Sequence, residues 1–205
     1  MPSSDTTLLE LDTPHGPAVA HVRQVAEPVA AMALGHGAAG GITARDLVAV
    51  AKVARDLAIS VALVEQPYRV AGRRSPAPAR QLDSAWTAVV GQLAAGALGA
   101  VPLIVGGRSS GARVACRTAD ITGAVGVLCL AFPLHPPGRA AAKTRQPELD
   151  AVAVPTLVVQ GESDPFGRPA PSPSRNVVIV PGNHSLTSDL GAVATAVRDW
   201  LAQVV

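Results

Sequence analysis

The sequence predicts an α/β fold of three layers, in which a mostly parallel β-sheet carries helices on both faces. Two observations lead to this prediction. Short apolar runs of strand length recur along the 205 residues and alternate with longer segments whose apolar residues recur at helical spacing. In addition, the motif Gly107-Arg108-Ser109-Ser110-Gly111 lies where one apolar run passes into a helical segment. A serine between two glycines at such a place is typical of a sharp strand-to-helix turn.

The first predicted elements are two short segments, Thr7 to Leu11 and Val19 to Val25. They flank the turn-forming stretch Thr13-Pro14-His15-Gly16-Pro17, so we expect a hairpin at the edge of the sheet. The parallel part begins after it, because the apolar run Val29 to Leu34 predicts a buried strand.

The remaining elements alternate in type. A helix is predicted over Thr43 to Leu57, with Thr43 as its cap and Asp46 three residues further on. A strand at Ser60 to Val64 and a polar loop from Glu65 to Pro78 follow. The later elements are a helix around Leu82 to Leu93, a strand at Pro102 to Gly106, a helix at Ala112 to Ala119, strands at Val125 to Leu130, Thr156 to Gln160 and Val177 to Val180, and a closing helix around Leu190 to Leu201.

Composition limits the class of protein. Hydrophobic residues make up 48% of the chain and charged residues 16%, which predicts one globular domain over residues 1–205. The net charge is +2 and the basic residues are scattered, so nucleic acid is not expected as a partner. Cys116 and Cys129 lack metal-ligand spacing and are expected to be small buried side chains.

No apolar run approaches the length of a membrane span, and Met1 to Asp12 lacks the basic-then-apolar pattern of a secretory leader. We therefore expect a soluble cytoplasmic protein, either a monomer or a homodimer, that binds no membrane. No residue pattern calls for a metal or an organic cofactor.

Ser109 is the predicted nucleophile. A free hydroxyl reacts poorly at neutral pH and needs a base, usually an imidazole held by a carboxylate. His184, in a loop between the last strand and the last helix, is the predicted base. Asp164, just after the Thr156 strand, is the predicted orienting acid, and Glu162 is its rival.

The oxyanion of the transition state needs hydrogen-bond donors. We expect them to be the backbone N–H of Ser110 and that of Ala38, in the glycine-rich loop after the Val29 strand. Gly35, Gly37 and Gly40 also satisfy a dinucleotide-binding pattern. That alternative places the helix cap beyond the third glycine and leaves the serine, acid and histidine unexplained.

Several arginines lie near these residues in the sequence, on the polar loop and around the serine: Arg69, Arg73, Arg74, Arg108 and Arg113. Their guanidinium groups, above all those of Arg108 and Arg69, are candidates for binding a carboxylate or phosphate on a substrate. The alternative is that Arg108 and Arg113 pair with local carbonyls or acids and that the loop arginines are solvated. His36 either contacts substrate or braces the loop that holds Ala38. His135 either lines the pocket or shapes a turn.

At these residues the chain resembles the α/β-hydrolase superfamily, in particular small cap-less bacterial members related to dienelactone hydrolase and to the testis-expressed-protein-30 type. The resemblance covers nearly the whole chain. It rests on the stretches His36-Gly37-Ala38-Ala39-Gly40, Gln66 to Arg74, Gly106 to Gly111, Phe132-Pro133-Leu134-His135-Pro136-Pro137-Gly138, Gln160 to Gly167 and Gly182-Asn183-His184.

The resemblance implies a three-layer fold without a cap domain and a triad of Ser109, Asp164 and His184. Dienelactone hydrolases use a cysteine nucleophile, whereas this chain has Ser109 at that position. The predicted function is a serine hydrolase acting on a small ester or thioester, in an open pocket, because too few residues separate the Val125 and Thr156 strands for a helical lid. The alternatives are a non-catalytic binding module of the same fold and a dinucleotide-binding protein.

Overall fold

The computed structural model describes residues 6–136 and 143–205, and its central feature is an eight-stranded sheet. The strands are β1 (Thr7–Leu11), β2 (Ala18–Arg23), β3 (Ala30–Gly35), β4 (Ile59–Glu65), β5 (Leu103–Arg108), β6 (Gly126–Leu130), β7 (Thr156–Gly161) and β8 (Arg175–Val180). The helices are α1 (Arg45–Asp56), α2 (Pro67–Val70), α3 (Ala79–Ala95), α4 (Ser110–Thr118), α5 (Gln146–Asp150) and α6 (Leu190–Val204).

The order of the strands across the sheet is β1-β2-β4-β3-β5-β6-β7-β8. Strands β1 and β2 form the predicted antiparallel hairpin, in which Thr7 pairs with Val22 and Leu11 with Ala18. Strand β2 is also antiparallel to β4, and all pairs from β4 to β8 are parallel. The predicted mostly parallel sheet is confirmed.

Helices cover both faces of the sheet. Helices α1 and α6 pack on one face, and α3 and α4 on the other, so the core consists of two apolar clusters separated by the sheet. Helix α3 buries the predicted stripe of Leu82, Trp86, Val89 and Leu93. Because apolar side chains from both layers cover its strands, nearly every residue of β3 and β5 to β7 is buried.

The strand order of the sheet changes direction at β3. Strand β4 lies on one side of β3 and β5 on the other. The loops that leave the carboxyl ends of β3 and β5 therefore diverge to opposite faces and leave a crevice between them, which is where ligands bind in open α/β sheets. Gly35 at the end of β3 is paired with Gly107 of β5, so this crevice lies beside Ser109.

Three local predictions need correction. The cap of α1 is Ala44 rather than Thr43, and no side chain caps the helix, because the Asp46 carboxylate turns toward Arg108 instead of the chain start. The predicted loop after β4 contains the short helix α2. The segment between β6 and β7 contains α5, which the sequence pattern did not predict.

Helix α5 packs against α4. Two arginines of α4 hold its Glu148: Arg113 through both carboxylate oxygens and Arg117 at 3.2 Å. In the part of the β6–β7 connection that the structure describes, no helix covers the carboxyl end of the sheet. Pro137 and Gly138 of the resemblance, and the first five residues of the N-terminal segment, lie outside the described residues.

Candidate active site

Ser109 occupies the turn between β5 and α4 in a strained backbone conformation. Its φ is 53° and its ψ is −107°, in the half of conformational space that a side chain disfavours. The turn is held because the Ser109 N–H donates to the carbonyl of Leu130 on β6, at 2.9 Å. The hydroxyl therefore stands above the end of β5, partly exposed to solvent.

The structure brings the three predicted residues together. Ser109 Oγ lies 2.9 Å from His184 Nε2, and His184 Nδ1 lies 2.8 Å from Asp164 Oδ2. Because a carboxylate only accepts, the Nδ1 proton faces Asp164, and Nε2 is left to accept from the hydroxyl. The Asp164 side chain is fully buried, whereas the His184 ring is 18% exposed. Glu162, the rival acid, is exposed.

Two further donors hold the Asp164 carboxylate. The N–H of Phe166 donates to Oδ1 at 2.8 Å, and Nε2 of the buried Gln160 donates to Oδ2 at 2.8 Å. The same Gln160 nitrogen reaches the carbonyls of Phe132 and Gly167. All three of its partners are acceptors, so the amide nitrogen faces the acid. Gln160 was not predicted as a site residue from the sequence, although it lies near the end of β7, four residues before the acid.

The loop that carries His184 is tied to the loop that carries Asp164. The carbonyl of Gly182 accepts from both the N–H and the hydroxyl of Ser163. Gly182 has a φ of +107°, and a side chain there would overlap Ser188, so only glycine allows this turn. The Phe166 ring packs on the imidazole of His184, with the ring centres 4.2 Å apart.

His36 braces the loop that follows β3. Its Nδ1 donates to the carbonyl of Gly37 at 2.8 Å, and its Nε2 accepts from the N–H of Gln66 at 3.2 Å. Burial lowers the pKa of His36, and the nearby Arg69 guanidinium lowers it further, against the opposing effect of the Gly37 carbonyl. His36 is only 3% exposed, and both of its ring nitrogens are engaged by the main chain of the protein, as the bracing role requires.

Ala38 and Ser110, the predicted oxyanion donors, both lie partly exposed on either side of the crevice. The peptide that carries the Ala38 N–H is the one whose carbonyl, on Gly37, is held by His36. The hydroxyl of Tyr68 donates to the Ala38 carbonyl at 3.2 Å. Ser110 is the first residue of α4, where backbone N–H groups lack helical partners. Neither N–H donates to any acceptor within residues 6–136 and 143–205.

The arginines differ in their surroundings. Arg108 turns inward, and two of its three guanidinium nitrogens are engaged by protein acceptors: Nε donates to Asp46 and Nη2 to the carbonyl of His184. Arg113 is paired with Glu148. Arg69 is partly exposed beside His36, and no described carboxylate lies within 4 Å of it.

His135 lies at the edge of the site. Its N–H donates to the carbonyl of Phe166, and its ring packs so tightly on Gly167 that a side chain there would overlap it. Gly167 has a φ of +89°. His135 is partly exposed, next to the loop that holds the acid.

The described residues contain neither a candidate metal site nor a candidate membrane span. No group of three or more His, Cys, Asp or Glu side chains there is arranged to hold a metal ion. Cys116 and Cys129 are both buried, as predicted, with their Sγ atoms 3.4 Å apart. No helix in this part of the chain is long and apolar enough to cross a membrane.

Residues 28–189 match the model of an α/β hydrolase domain family. This range includes both strands of the crevice, the serine turn, the acid and the histidine. The chain belongs to this family. Its cap-less α/β-hydrolase fold is thereby confirmed, and the protein is a hydrolase-family member. No curated protein matches the sequence.

Solved structures show the same fold across the whole α/β hydrolase chain. An α/β serine hydrolase without a lid, from Xanthomonas campestris, has a TM-score of 0.80 at 20% identity, over 98% of this chain and 95% of its own. A dienelactone hydrolase from Anabaena variabilis has a TM-score of 0.78 at 15% identity, over 98% of both chains. The α/β hydrolase domain-containing protein 10 from mouse has a TM-score of 0.69 at 12% identity, over 97% of this chain and 100% of its own.

Proposed function

We propose that this α/β hydrolase is a serine hydrolase that cleaves a small ester or thioester through an acyl-enzyme on Ser109. The observation that carries the proposal is the unbroken hydrogen-bonded path from Ser109 Oγ through the imidazole of His184 to the buried Asp164. A strained turn that exposes the hydroxyl supports the same role. Nucleophile, base and orienting acid are thus each within hydrogen-bond distance before any substrate binds.

In the proposed first step, Ser109 Oγ attacks the carbonyl carbon while its proton passes to His184 Nε2. Asp164 keeps the imidazole in the tautomer that can accept this proton and stabilises the imidazolium that forms. The carbonyl oxygen becomes an oxyanion and accepts from the N–H groups of Ala38 and Ser110, the second of which benefits from the positive end of α4. His184 then gives its proton to the departing alcohol or thiol.

The second step hydrolyses the acyl-enzyme and regenerates the free serine. Water enters the site, His184 takes one of its protons, and the resulting hydroxide attacks the acyl carbon. The second tetrahedral intermediate collapses, the acid product leaves, and Ser109 recovers its proton from His184. No metal or organic cofactor takes part in either step.

An active-site fluorophosphonate tests the proposal, because it phosphonylates only an activated serine. The wild-type protein should gain one adduct at Ser109, and Ser109→Ala should gain none. Ser84→Ala, which changes a partly exposed serine of α3, should label as the wild type does. Absence of labelling in the wild type, or equal labelling of Ser109→Ala, would contradict the proposed enzymatic function and favour a non-catalytic binding module.

The dinucleotide alternative has less support. Helix α1 begins only at Arg45, beyond Gly40, so the glycine loop does not open directly onto a helix N-terminus as a dinucleotide site requires. Titration with NADH should leave its fluorescence unchanged, and a saturable change would reinstate that alternative.

A further inference from the structure

Arg108 lies directly before the proposed nucleophile, and its guanidinium faces three separate segments of the chain. Nε donates to Asp46 Oδ2 on α1 at 2.9 Å, and Nη2 donates to the backbone carbonyl of His184 at 3.0 Å. Nη1 lies against the loop after β3, 2.9 Å from where a side-chain carbon on Gly37 would stand. The side chain is 16% exposed. One residue thus contacts the histidine loop, the oxyanion loop and the first turn of α1.

Asp46 holds Arg108 in this position. It is 1% exposed, and its second oxygen accepts from the N–H of Leu47 at 2.9 Å. Burial raises the pKa of Asp46, and the Arg108 guanidinium opposes that rise. A buried carboxylate without a cationic partner would be costly to keep, so Asp46 and Arg108 stabilise each other in this position.

The contact with His184 is to the main chain rather than to the ring. The ring has two partners of its own, Asp164 and Ser109, but these control its tilt and not the position of the backbone that carries it. The carbonyl of His184 lies in the loop between β8 and α6, which is tied to the loop of Asp164 through the carbonyl of Gly182. Arg108 adds a second tie, which joins the carbonyl of His184 itself to the strand that carries the serine.

We propose that Arg108, held by Asp46, is a positioning residue that sets the distance between His184 and Ser109. This inference rests on the proposed function. Arg108 touches no reacting atom in this role. It acts by fixing the histidine backbone relative to its own neighbour in sequence, since misplacing a catalytic group by about 1 Å costs on the order of a hundredfold in rate.

The variant Arg108→Lys tests the proposal with the least risk to folding, because lysine keeps the charge that Asp46 needs. The single ammonium group of lysine cannot replace a guanidinium group that donates to two acceptors in different directions, here Asp46 and the carbonyl of His184. The matched control is Arg117→Lys on α4, whose guanidinium is 19% exposed and also joins two acids, Asp83 and Glu148, on different helices.

Four quantities are measured: the fluorophosphonate labelling rate constant, kcat for p-nitrophenyl acetate, KM for the same ester, and backbone hydrogen exchange over residues 182–186. Arg108→Lys should lower kcat and the labelling rate about tenfold to a hundredfold, leave KM for this small neutral ester within about threefold, and accelerate exchange in that segment. Arg117→Lys should change none of these, although it lowers thermal stability. Asp46→Asn should follow Arg108→Lys in kcat to a smaller extent, because asparagine still accepts a hydrogen bond but no longer attracts the guanidinium by its charge.

The outcomes separate two failures. A wild-type protein that neither labels nor turns over overturns the serine hydrolase and, with it, the role of Arg108 in the reaction. An active wild type with Arg108→Lys at wild-type labelling rate and kcat overturns only the inference about Arg108. A rise in KM without a fall in kcat also overturns it, because it would show that Arg108 binds substrate.

Discussion

Gly111 and Gly35 approach each other so closely that a side-chain carbon on Gly111 would overlap the carbonyl oxygen of Gly35. A side-chain carbon on Gly107 would overlap the same oxygen. The two glycines that flank the serine motif are therefore needed for packing as well as for the turn, because they let the start of α4 and the end of β3 come into backbone contact. That contact brings the proposed oxyanion loop next to Ser109.

Replacing Gly111 with alanine should destabilise the fold. The added methyl group meets backbone atoms of Gly35 and His36, which cannot move aside as a side chain would. We expect Gly111→Ala to lower the free energy of unfolding by about 3 kcal/mol, measured by urea denaturation. Gly91→Ala is the matched control, because Gly91 lies in α3 with open space around it, and it should raise the free energy of unfolding by about 0.5–1 kcal/mol. Equal stability of the two variants would contradict the packing argument.

Gln160→Leu should reduce catalysis. The change removes the side-chain amide that donates to Asp164 Oδ2. The carbonyls of Phe132 and Gly167 lose the same hydrogen-bond donor. A hydrogen bond to a charged group contributes about 1.5–3 kcal/mol, so we expect kcat/KM for p-nitrophenyl acetate to fall about tenfold to a hundredfold. Gln92→Leu, at an exposed position of α3, should leave kcat/KM unchanged. A Gln160→Leu protein with wild-type kcat/KM would show that Asp164 needs no such support.

His36 should make the stability depend on pH. Its pKa in the folded protein is lowered from about 6.5 by burial, so the folded state keeps it neutral while the unfolded chain binds a proton. The stability that neutral His36 contributes is therefore fully present above a pH of about 6.5. It is lost as the pH falls from that value toward the lowered pKa of the folded state. Urea denaturation at pH values of about 7.5 and about 5.5 should show a smaller decrease in unfolding free energy for His36→Gln than for the wild type. An equal decrease in both proteins would assign the effect to other groups.

Arg69 is our candidate for recognition of an anionic substrate. It lies partly exposed beside the oxyanion loop, and no described carboxylate is within 4 Å of it. We expect esters with an anionic acyl group to be preferred over neutral ones, and Arg69→Ala to raise KM for the anionic ester about tenfold while leaving the neutral ester unchanged. Arg198→Ala, at an exposed position of α6, is the control. A wild-type enzyme that does not distinguish the two esters would exclude this role.

The acyl chain should be short. In the described part of the connection between β6 and β7, helix α5 packs against α4, in keeping with the open pocket expected from the sequence. We expect kcat/KM to decrease with acyl length across a series of p-nitrophenyl esters from acetate to decanoate. An increase with length would contradict an open pocket.

Most of the strands and helices could be predicted, because strand length, helical spacing and turn residues are local properties of the sequence. The local errors have physical causes. Thr43 and Asp46 match the pattern of a helix cap, but an ion pair with Arg108 outweighed the cap for the Asp46 carboxylate. Helices α2 and α5 are too short to show helical spacing. Gln160 was overlooked since nothing local marks a buried amide as the partner of an acid.

The sequence by itself determined the order of elements, the serine turn and the residue types proposed for catalysis, since each depends on neighbours a few positions away. The tertiary structure decided which of the candidates meet. It joined Asp164 rather than Glu162 to His184, buried His36 inside its loop, and turned Arg108 from solvent to Asp46 and the His184 backbone. These contacts link residues that are distant in the chain, and burial and charge pairing select among them only once the sheet has brought the strand ends together.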